Sequence, residues 1–223
     1  VISLALGIAA NSTVFSLVDA MFLRPLAVTD PERMVEVVRD PASGRGEVIS
    51  FPDYLDLQRD VAALEGVAAI SRRGTVLHLG ELEESLSVAV VSDNFFDVAG
   101  VRAGRGRLFD RAEDGRLAEP PVILSHGLWQ RRFQGDPAAI GRVIRLMNDQ
   151  FTVVGVLPRE FRGFDRGMSL EIWMPRVSWS RMGGAADFES RRARHFEAIG
   201  RMRPRVAVSE VRAQADTVAA RLA

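Results

Sequence analysis

The sequence contains no cysteine, no lysine and only three histidines. Without cysteine the chain has no disulfide, no thiolate metal site and no cysteine nucleophile. Without lysine it has no Walker A phosphate loop, which excludes a P-loop ATPase from this stretch of chain. All 29 basic residues are arginine and are balanced by 29 acidic residues, so the net charge is zero. No basic field therefore indicates a nucleic-acid partner.

A long apolar run opens the sequence. Residues 1–23 carry a single formal charge, Asp19. A helix of this length is roughly 34 Å long, which is enough to cross the hydrocarbon core of a bilayer. We predict a transmembrane helix over residues 1–24, truncated at its start because neither a methionine nor a basic leader precedes it. An incomplete signal or anchor segment and a buried core helix are the alternatives.

Small and polar residues recur on two stripes of this predicted helix. The stripes consist of Ser3, Gly7 and Asn11, and of Ser12, Ser16 and Asp19. Such residues in a membrane helix favour packing against neighbouring helices, although Asp19 alone fits a position at the lipid headgroups equally well. Pro25 ends the helix because proline disfavours helical geometry at the preceding Arg24.

The two hundred residues that follow read as an α+β fold, long enough for one large or two small domains. Alternating and β-branched runs predict strands at residues 34–38, 67–71, 75–79, 85–91, 121–124, 143–147, 151–156, 170–174 and 195–202. Capping residues predict helix starts at Ser50, Ser92-Asp93, Ser125 and Ser209. The first helix should extend through Leu64 to Gly66, and Gly100 should end the second. Asn148-Asp149 is the predicted hairpin turn, and residues 100–120 should cross between subdomains with Leu108 and Phe109 buried.

No constellation of side chains predicts catalysis. His78, His126 and His195 match no metal-ligand spacing, so ordinary hydrogen-bonded histidines are expected. Ser125-His126 lacks a nucleophile elbow, and Ser125 is better explained as a helix cap. Gly104 and Gly106 lack the strand–turn–helix context of a phosphate loop. We therefore predict no catalytic, cofactor-binding or metal-binding residue.

The remaining charged and aromatic residues have structural interpretations. Asp53, Asp56 and Asp60 share one helical side and are expected to form a solvated acidic face. The arginine pairs should form local salt bridges; they are Arg72-Arg73, Arg131-Arg132 and Arg191-Arg192. Trp129, Phe133 and Trp173 are expected in the core.

A series of motifs gives the chain a family resemblance. In order along the sequence they are LALGIAANSTVFSLVDAMFLRPL, DPERMVEV, SFPDYLDLQ, VSDNFFDVAGV, GRLF, VILSHGLWQRRFQGDPAAIGRVIRL, FTVVGVLPREFRG, EIWMP and FEAIGRMRP. Together they resemble MacB-like and FtsX-like permease subunits of ABC transporters, in particular the bacterial duplicated orphan permease group. Met147 stands where the family usually continues into a turn that contains glycine or asparagine. Residues 177–192 match no family element.

The resemblance implies a transmembrane helix over residues 1–24 and then a two-lobed extracytoplasmic domain. A porter-like βαβ lobe would comprise residues 25–104 and 193–223, and residues 105–192 would form an inserted lobe of mixed α/β structure. The family implies a bacterial inner-membrane location and no catalysis in this segment, whose movement would be coupled to ATP hydrolysis by a cytoplasmic ABC ATPase.

The implied partners are that ATPase, the other transmembrane helices of the permease, a second copy in a dimeric assembly and a periplasmic adaptor. Two other classes stay open. A single-span anchored sensor or binding module would have no ATPase partner. An envelope hydrolase would depend on Ser125, His126 or His195.

Overall fold

The computed structural model describes residues 28–37, 48–114, 116–164 and 170–222. The predicted membrane helix over residues 1–24 lies outside these ranges. Within the described ranges, no helix is both long enough and apolar enough to span a bilayer.

Strands and helices alternate along the described chain. The strands are β1 Met34–Val37, β2 Ile49–Ser50, β3 Leu64–Leu79, β4 Leu82–Val91, β5 Arg105–Gly106, β6 Pro121–Leu124, β7 Val143–Leu146, β8 Asp149–Val156, β9 Ile172–Pro175 and β10 Arg194–Met202. The α-helices are α1 Phe51–Asp60, α2 Phe95–Ala99, α3 Arg111–Asp114, α4 His126–Phe133, α5 Arg176–Arg181 and α6 Val208–Leu222. Short 3₁₀ helices lie at Pro31–Arg33, Pro137–Ala139 and Gly184–Phe188.

These strands form one mixed sheet in the order β1-β10-β3-β4-β9-β6-β8-β5. β3 pairs antiparallel with β10 over its first half and with β7 at Leu77 and His78. Because β7 also pairs with β8, the strands β3, β4, β9, β6, β8 and β7 close a ring. Two of these contacts, β4 with β9 and β6 with β8, are parallel. The sequence predicts an α+β fold, and the described chain does combine helices with a mixed sheet.

The core lies on both faces of the sheet. Val88 and Val90 of β4 contribute to one buried cluster, whereas Ala89 and Val91 contribute to the other. This alternation follows from the period of two along a strand, and burial on both faces explains why these strands are continuous apolar runs. Trp129, Phe133 and Trp173 are buried, which confirms their prediction as core residues.

The sequence prediction is wrong around β3. The first helix does not extend through Leu64; α1 ends at Asp60, and Leu64 begins β3, where it pairs with Met202. The two strands predicted at residues 67–71 and 75–79 are one 16-residue strand. Gly74 suggests a turn, but in the structure it pairs with Ser87 of β4.

Two of the four predicted helix caps are confirmed. Ser50 Oγ accepts a hydrogen bond from the Asp53 N–H, and Ser125 Oγ accepts one from the Leu128 N–H. Ser92-Asp93 does not cap α2; Ser92 Oγ instead accepts a hydrogen bond from the Ala69 N–H. Ser209 lies inside α6, which begins one residue earlier.

Turns and connections differ from the prediction in detail. The β7–β8 turn consists of Met147 and Asn148 rather than Asn148 and Asp149, because Asp149 already pairs with Leu146. Met147 has a φ of 52°, a conformation that favours glycine or asparagine. The predicted crossing at residues 100–120 contains β5 and α3, and its Leu108 and Phe109 pack against the core as expected.

The segment 177–192, which has no counterpart among the family motifs, covers one face of the core. It includes most of α5 and the 3₁₀ helix Gly184–Phe188. The ring centroid of Phe188 lies 5.1 Å from that of Phe51 and 5.6 Å from that of Phe196. The segment therefore joins α1 to β10 through an aromatic cluster.

Candidate functional site at the chain entry and exit

The first described residues dock on the end of α2. The Thr29 N–H donates to the Ala99 carbonyl at 3.3 Å, and Thr29 Oγ1 donates to the Gly100 carbonyl at 2.9 Å. Gly100 has a φ of 66°, and a Cβ there would lie 2.5 Å from Thr29 Oγ1. The close approach of the entering chain thus requires glycine at this position.

Arg33 connects the entering chain to both β3 and β10. Its Nε and Nη2 donate to the Met202 carbonyl at 2.9 and 2.6 Å. Its Nη1 lies 3.2 Å from Asp30 Oδ2, and its Nη2 also forms an ion pair with Glu65. The guanidinium fork therefore bonds to the end of β10 and to the start of β3 at once.

The departing chain, which is the segment that follows β10, bonds to the residues immediately before β3. The Arg203 N–H donates to the Ala63 carbonyl, and Arg203 Nε donates to the Ala62 carbonyl. Gln214 Oε1 on α6 accepts from the Ala63 N–H at 2.9 Å. Further along α6, Arg221 Nη2 lies 2.6 Å from Asp60 Oδ2. We use the term junction for the place where the first described residues (the entry) and the segment that follows β10 (the exit) meet. It comprises residues 28–33, 61–65, 98–100 and 201–203.

The predicted solvated acidic face on α1 is wrong. Asp56 is buried, and its carboxylate lies 2.8 Å from both Arg59 and Arg191. Arg191 also lies 2.7 Å from Asp53. Hydrogen bonds from Arg59 above all hold the pKa of Asp60 down at about 2. These carboxylates form ion pairs that hold α1 in place. The fold brings arginines that are distant in sequence close to them.

In the described part of the chain, five of the six paired arginines form salt bridges, although their partners are distant in sequence; they are Arg72, Arg73, Arg131, Arg132 and Arg191. Arg72 pairs with Glu197, and Arg73 lies 3.5 Å from Asp187 while its guanidinium stacks on Trp179. A second group joins Arg131-Arg132 on α4 to the sheet. Arg132 Nε lies 2.6 Å from Glu84, and Arg131 contacts both Glu84 and Glu171. These pairs fasten helices and strands to one another.

We expect Glu84→Gln to destabilise the fold only where the carboxylate is ionised. Hydrogen bonds from Arg132, and then from Arg131, lower the folded-state pKa of Glu84 below its ordinary 4.5. Its contribution is therefore complete above pH 4.5 and is lost as the pH falls through the lowered folded-state value. Urea unfolding should show a loss of about 1 kcal/mol at pH 7 that shrinks below pH 4.5. Glu81→Gln in the exposed β3–β4 turn is the control, and an equal loss at pH 7 and pH 2 would contradict the assignment.

The three histidines lie in separate structural settings. His78 Nδ1 is 3.1 Å from Glu83, His126 packs edge-on against Trp129, and His195 Nε2 is 3.8 Å from Asp187. No group of three or more His, Cys, Asp or Glu in the described ranges could hold a metal ion. Ser125 Oγ is occupied as the cap of α4 rather than bonded to His126.

Gly104 and Gly106 serve backbone packing. A Cβ at Gly106 would lie 2.4 Å from the Val154 carbonyl, and one at Gly104 would lie 3.1 Å from Pro158 Cα. The residues that sequence reasoning missed are Thr29, Arg33, Arg201 and Arg203. The only signal for them was an arginine beside the predicted ends of β1 and β10, which is too common to single out a site.

Solved structures share this fold. The periplasmic region of MacB from Actinobacillus actinomycetemcomitans superimposes with a TM-score of 0.63 at 14% identity, covering 85% of this chain and 82% of that one. The extracellular domain of the noncanonic ABC-type transporter YknZ from Gram-positive bacteria gives a TM-score of 0.56 at 15% identity, covering 85% and 90%. The fold is that of extracytoplasmic domains of ABC-type transporters.

The sequence itself identifies the family. The family model described as "MacB-like periplasmic core domain" matches residues 1–218, and the chain belongs to this family. The macrolide export ATP-binding/permease protein MacB of Chromobacterium violaceum is 34% identical over 140 residues, covering 60% of this chain and 21% of that protein. MacB 1 of Aeromonas hydrophila is 29% identical over 191 residues, covering 83% and 28%. The chain thus spans about a fifth to just over a quarter of these relatives.

Proposed function

We propose that this chain is the non-catalytic extracytoplasmic segment of an ABC transporter permease, and that the junction transmits movement to it. The observation that carries the proposal is that entry and exit bond to one stretch of chain, residues 61–65. Arg33 fixes the entry there through Glu65, and Arg203 and Gln214 fix the exit through Ala62 and Ala63. A displacement of a membrane helix at residues 1–24 would reach the sheet through these bonds.

The proposed arrangement has two lobes. Residues 25–104 and 193–223 form the porter-like lobe, and residues 105–192 form the inserted lobe. The pairing of β3 supports this division, since its first half lies beside β10 and its end lies beside β7. As a single strand of 16 residues, β3 would carry movement from the junction to the inserted lobe.

The proposed partners follow from the family. They are a cytoplasmic ABC ATPase, the other transmembrane helices of the permease, a second copy in a dimer and a periplasmic adaptor. The domain after residue 24 would lie outside the inner membrane of a bacterium. Because relatives are described as export ATP-binding/permease proteins, we propose export as the direction of transport.

The alternative from another class is a single-span anchored sensor or binding module that works without an ATPase. The same junction would then receive no movement driven by nucleotide. The two functions differ in one measurable respect, which is whether the junction responds to the ATPase cycle.

A cross-link across the junction tests the proposal. Because this stretch has no cysteine, Arg33→Cys with Glu65→Cys supplies its only thiols for a reducible bifunctional reagent, at a site where the native side chains form an ion pair. Any cysteine elsewhere in the permease or in the ATPase would first be replaced by serine. The full-length permease and its ATPase would be studied in nanodiscs. Without the cross-link, hydrogen exchange across residues 28–37 and 201–211 should differ between the nucleotide-free and ATP–vanadate states. The cross-link should abolish the difference, and reduction should restore it.

A matched cross-link away from the junction is the control. Glu84→Cys with Arg132→Cys joins another native ion pair, between β4 and α4. This link should leave the nucleotide-dependent exchange unchanged. If the junction cross-link also leaves it unchanged, movement does not pass through the junction. If the wild-type protein shows no difference between the two nucleotide states, the anchored-module alternative is favoured.

A further inference from the structure

A cleft of about 500 Å³ opens beside the junction. It lies between the end of α1, the start of β3 and the loop that follows β10. The ionic side chains that line it are Arg59, Glu65, Asp97, Arg201 and Arg203. The cleft is therefore polar, and its walls include residues that hold the departing chain.

Arg201 is an unusual member of this wall because it is a buried cation. The residue is only 6% exposed. Its Nε donates to the Val98 carbonyl at 2.7 Å, but its buried Nη2 has no hydrogen-bond partner among the described residues. No carboxylate of the described chain forms an ion pair with it. A buried guanidinium without a counter-charge is costly, so its retention calls for an anion.

The charges around the cleft favour an anion with a single negative charge. Arg59 is paired with Asp60, and Glu65 is paired with Arg33. Across the described chain, Arg203 and Asp97 have no ion-pair partner, as is the case for Arg201. These three groups together leave one net positive charge in the cleft.

We propose that this cleft binds the oxyanion of a phosphate group, with Arg201 and Arg203 as its ligands. Guanidinium forks match the spacing of phosphate oxygens and bind them by paired hydrogen bonds. A phosphodiester carries one negative charge, which would balance the one net positive charge of the cleft. The source is a lipid headgroup or free phosphate. The headgroup source rests on the proposed function, which brings Thr29, four residues after Pro25, close to the membrane surface.

Thermal unfolding in the presence of phosphate tests the site. The full chain would be kept in maltoside micelles, which contain no phosphate, and probed with sodium phosphate against sodium chloride of equal ionic strength. A bound ligand raises Tm by mass action, so phosphate at ten times its dissociation constant should raise Tm by about 3 to 5 °C. Dihexanoyl phosphatidylglycerol below its micelle concentration is the second probe. Tighter binding of this lipid assigns the site to headgroups, and tighter binding of inorganic phosphate assigns it to free phosphate.

Substitutions identify the ligands. Arg203→Gln, at an exposed position, should weaken phosphate binding about tenfold. Arg201→Gln should abolish the response to phosphate, while its Tm without phosphate should not fall below that of the wild type, because a buried unpaired charge is removed. Arg205→Gln, two residues away and outside the cleft, is the control and should bind like the wild type. A wild-type Tm that responds to neither probe, or an equal loss in Arg205→Gln, would overturn the site. Because no ATPase is involved, a negative result for coupling at the junction leaves this test intact.

Discussion

Gly155→Ala is expected to lower the free energy of unfolding by about 3 kcal/mol or more. Gly155 lies in β8, where it pairs with Gly106 of β5. A Cβ at this position would lie 2.1 Å from the Arg107 carbonyl oxygen and 3.2 Å from that of Arg105. Both obstacles are backbone atoms, so no rotamer change can relieve the overlap. The substitution should force β5 away from β8.

Urea unfolding together with hydrogen exchange measures this effect. The Gly104 N–H donates to the Val156 carbonyl and the Arg107 N–H to the Val154 carbonyl, so both amides should lose protection in the variant. Gly74→Ala is the matched control, because a Cβ on this β3 glycine meets nothing within 4 Å. That variant should be as stable as the wild type or slightly more stable, since alanine restricts the unfolded chain. Comparable losses in the two variants would contradict the packing argument.

Local signals in the sequence were sufficient to predict those elements whose formation depends on residues nearby in the chain. β6 has the predicted bounds, Pro121 to Leu124, because a short apolar run before a capping serine is a strand followed by a helix. Ser50 and Ser125 cap their helices because the bonds they make reach only three residues ahead. The family followed from motifs spread over nearly the whole chain, and the match over residues 1–218 confirms it.

Features that depend on distant residues could not be predicted from the sequence. Arg33 bonds to a carbonyl 169 positions away, and the buried Asp56 forms an ion pair with Arg191, which is also distant in sequence. β3 continues through Gly74 because β4 pairs along its whole length, so tertiary pairing overrides the turn preference of glycine. The candidate site consists of such distant contacts, which is why sequence reasoning gave its class but not its residues.

Trp173→Ala should cost about 3 to 5 kcal/mol of stability, because the side chain is fully buried in β9 between Ala89 and Ile123. Trp173→Phe should cost much less. Its indole Nε1 is buried and has no hydrogen-bond partner within the described ranges, and removing an unsatisfied donor offsets part of the lost packing. The Trp173 ring centroid lies 6.0 Å from that of Phe161. A phenylalanine at position 173 should keep this aromatic contact, whereas an alanine loses it.

Trp129→Phe separates the two contributions. Trp129 is also buried, but its Nε1 donates to the Asp136 carbonyl at 2.9 Å. Replacement by phenylalanine there removes similar volume and also a satisfied hydrogen bond, so it should cost about 1 kcal/mol more than Trp173→Phe. Equal losses in urea unfolding would mean that the Trp173 indole has a hydrogen-bond partner in solution. A smaller loss for Trp173→Phe would show that β9 retains an aromatic ring there for its volume alone.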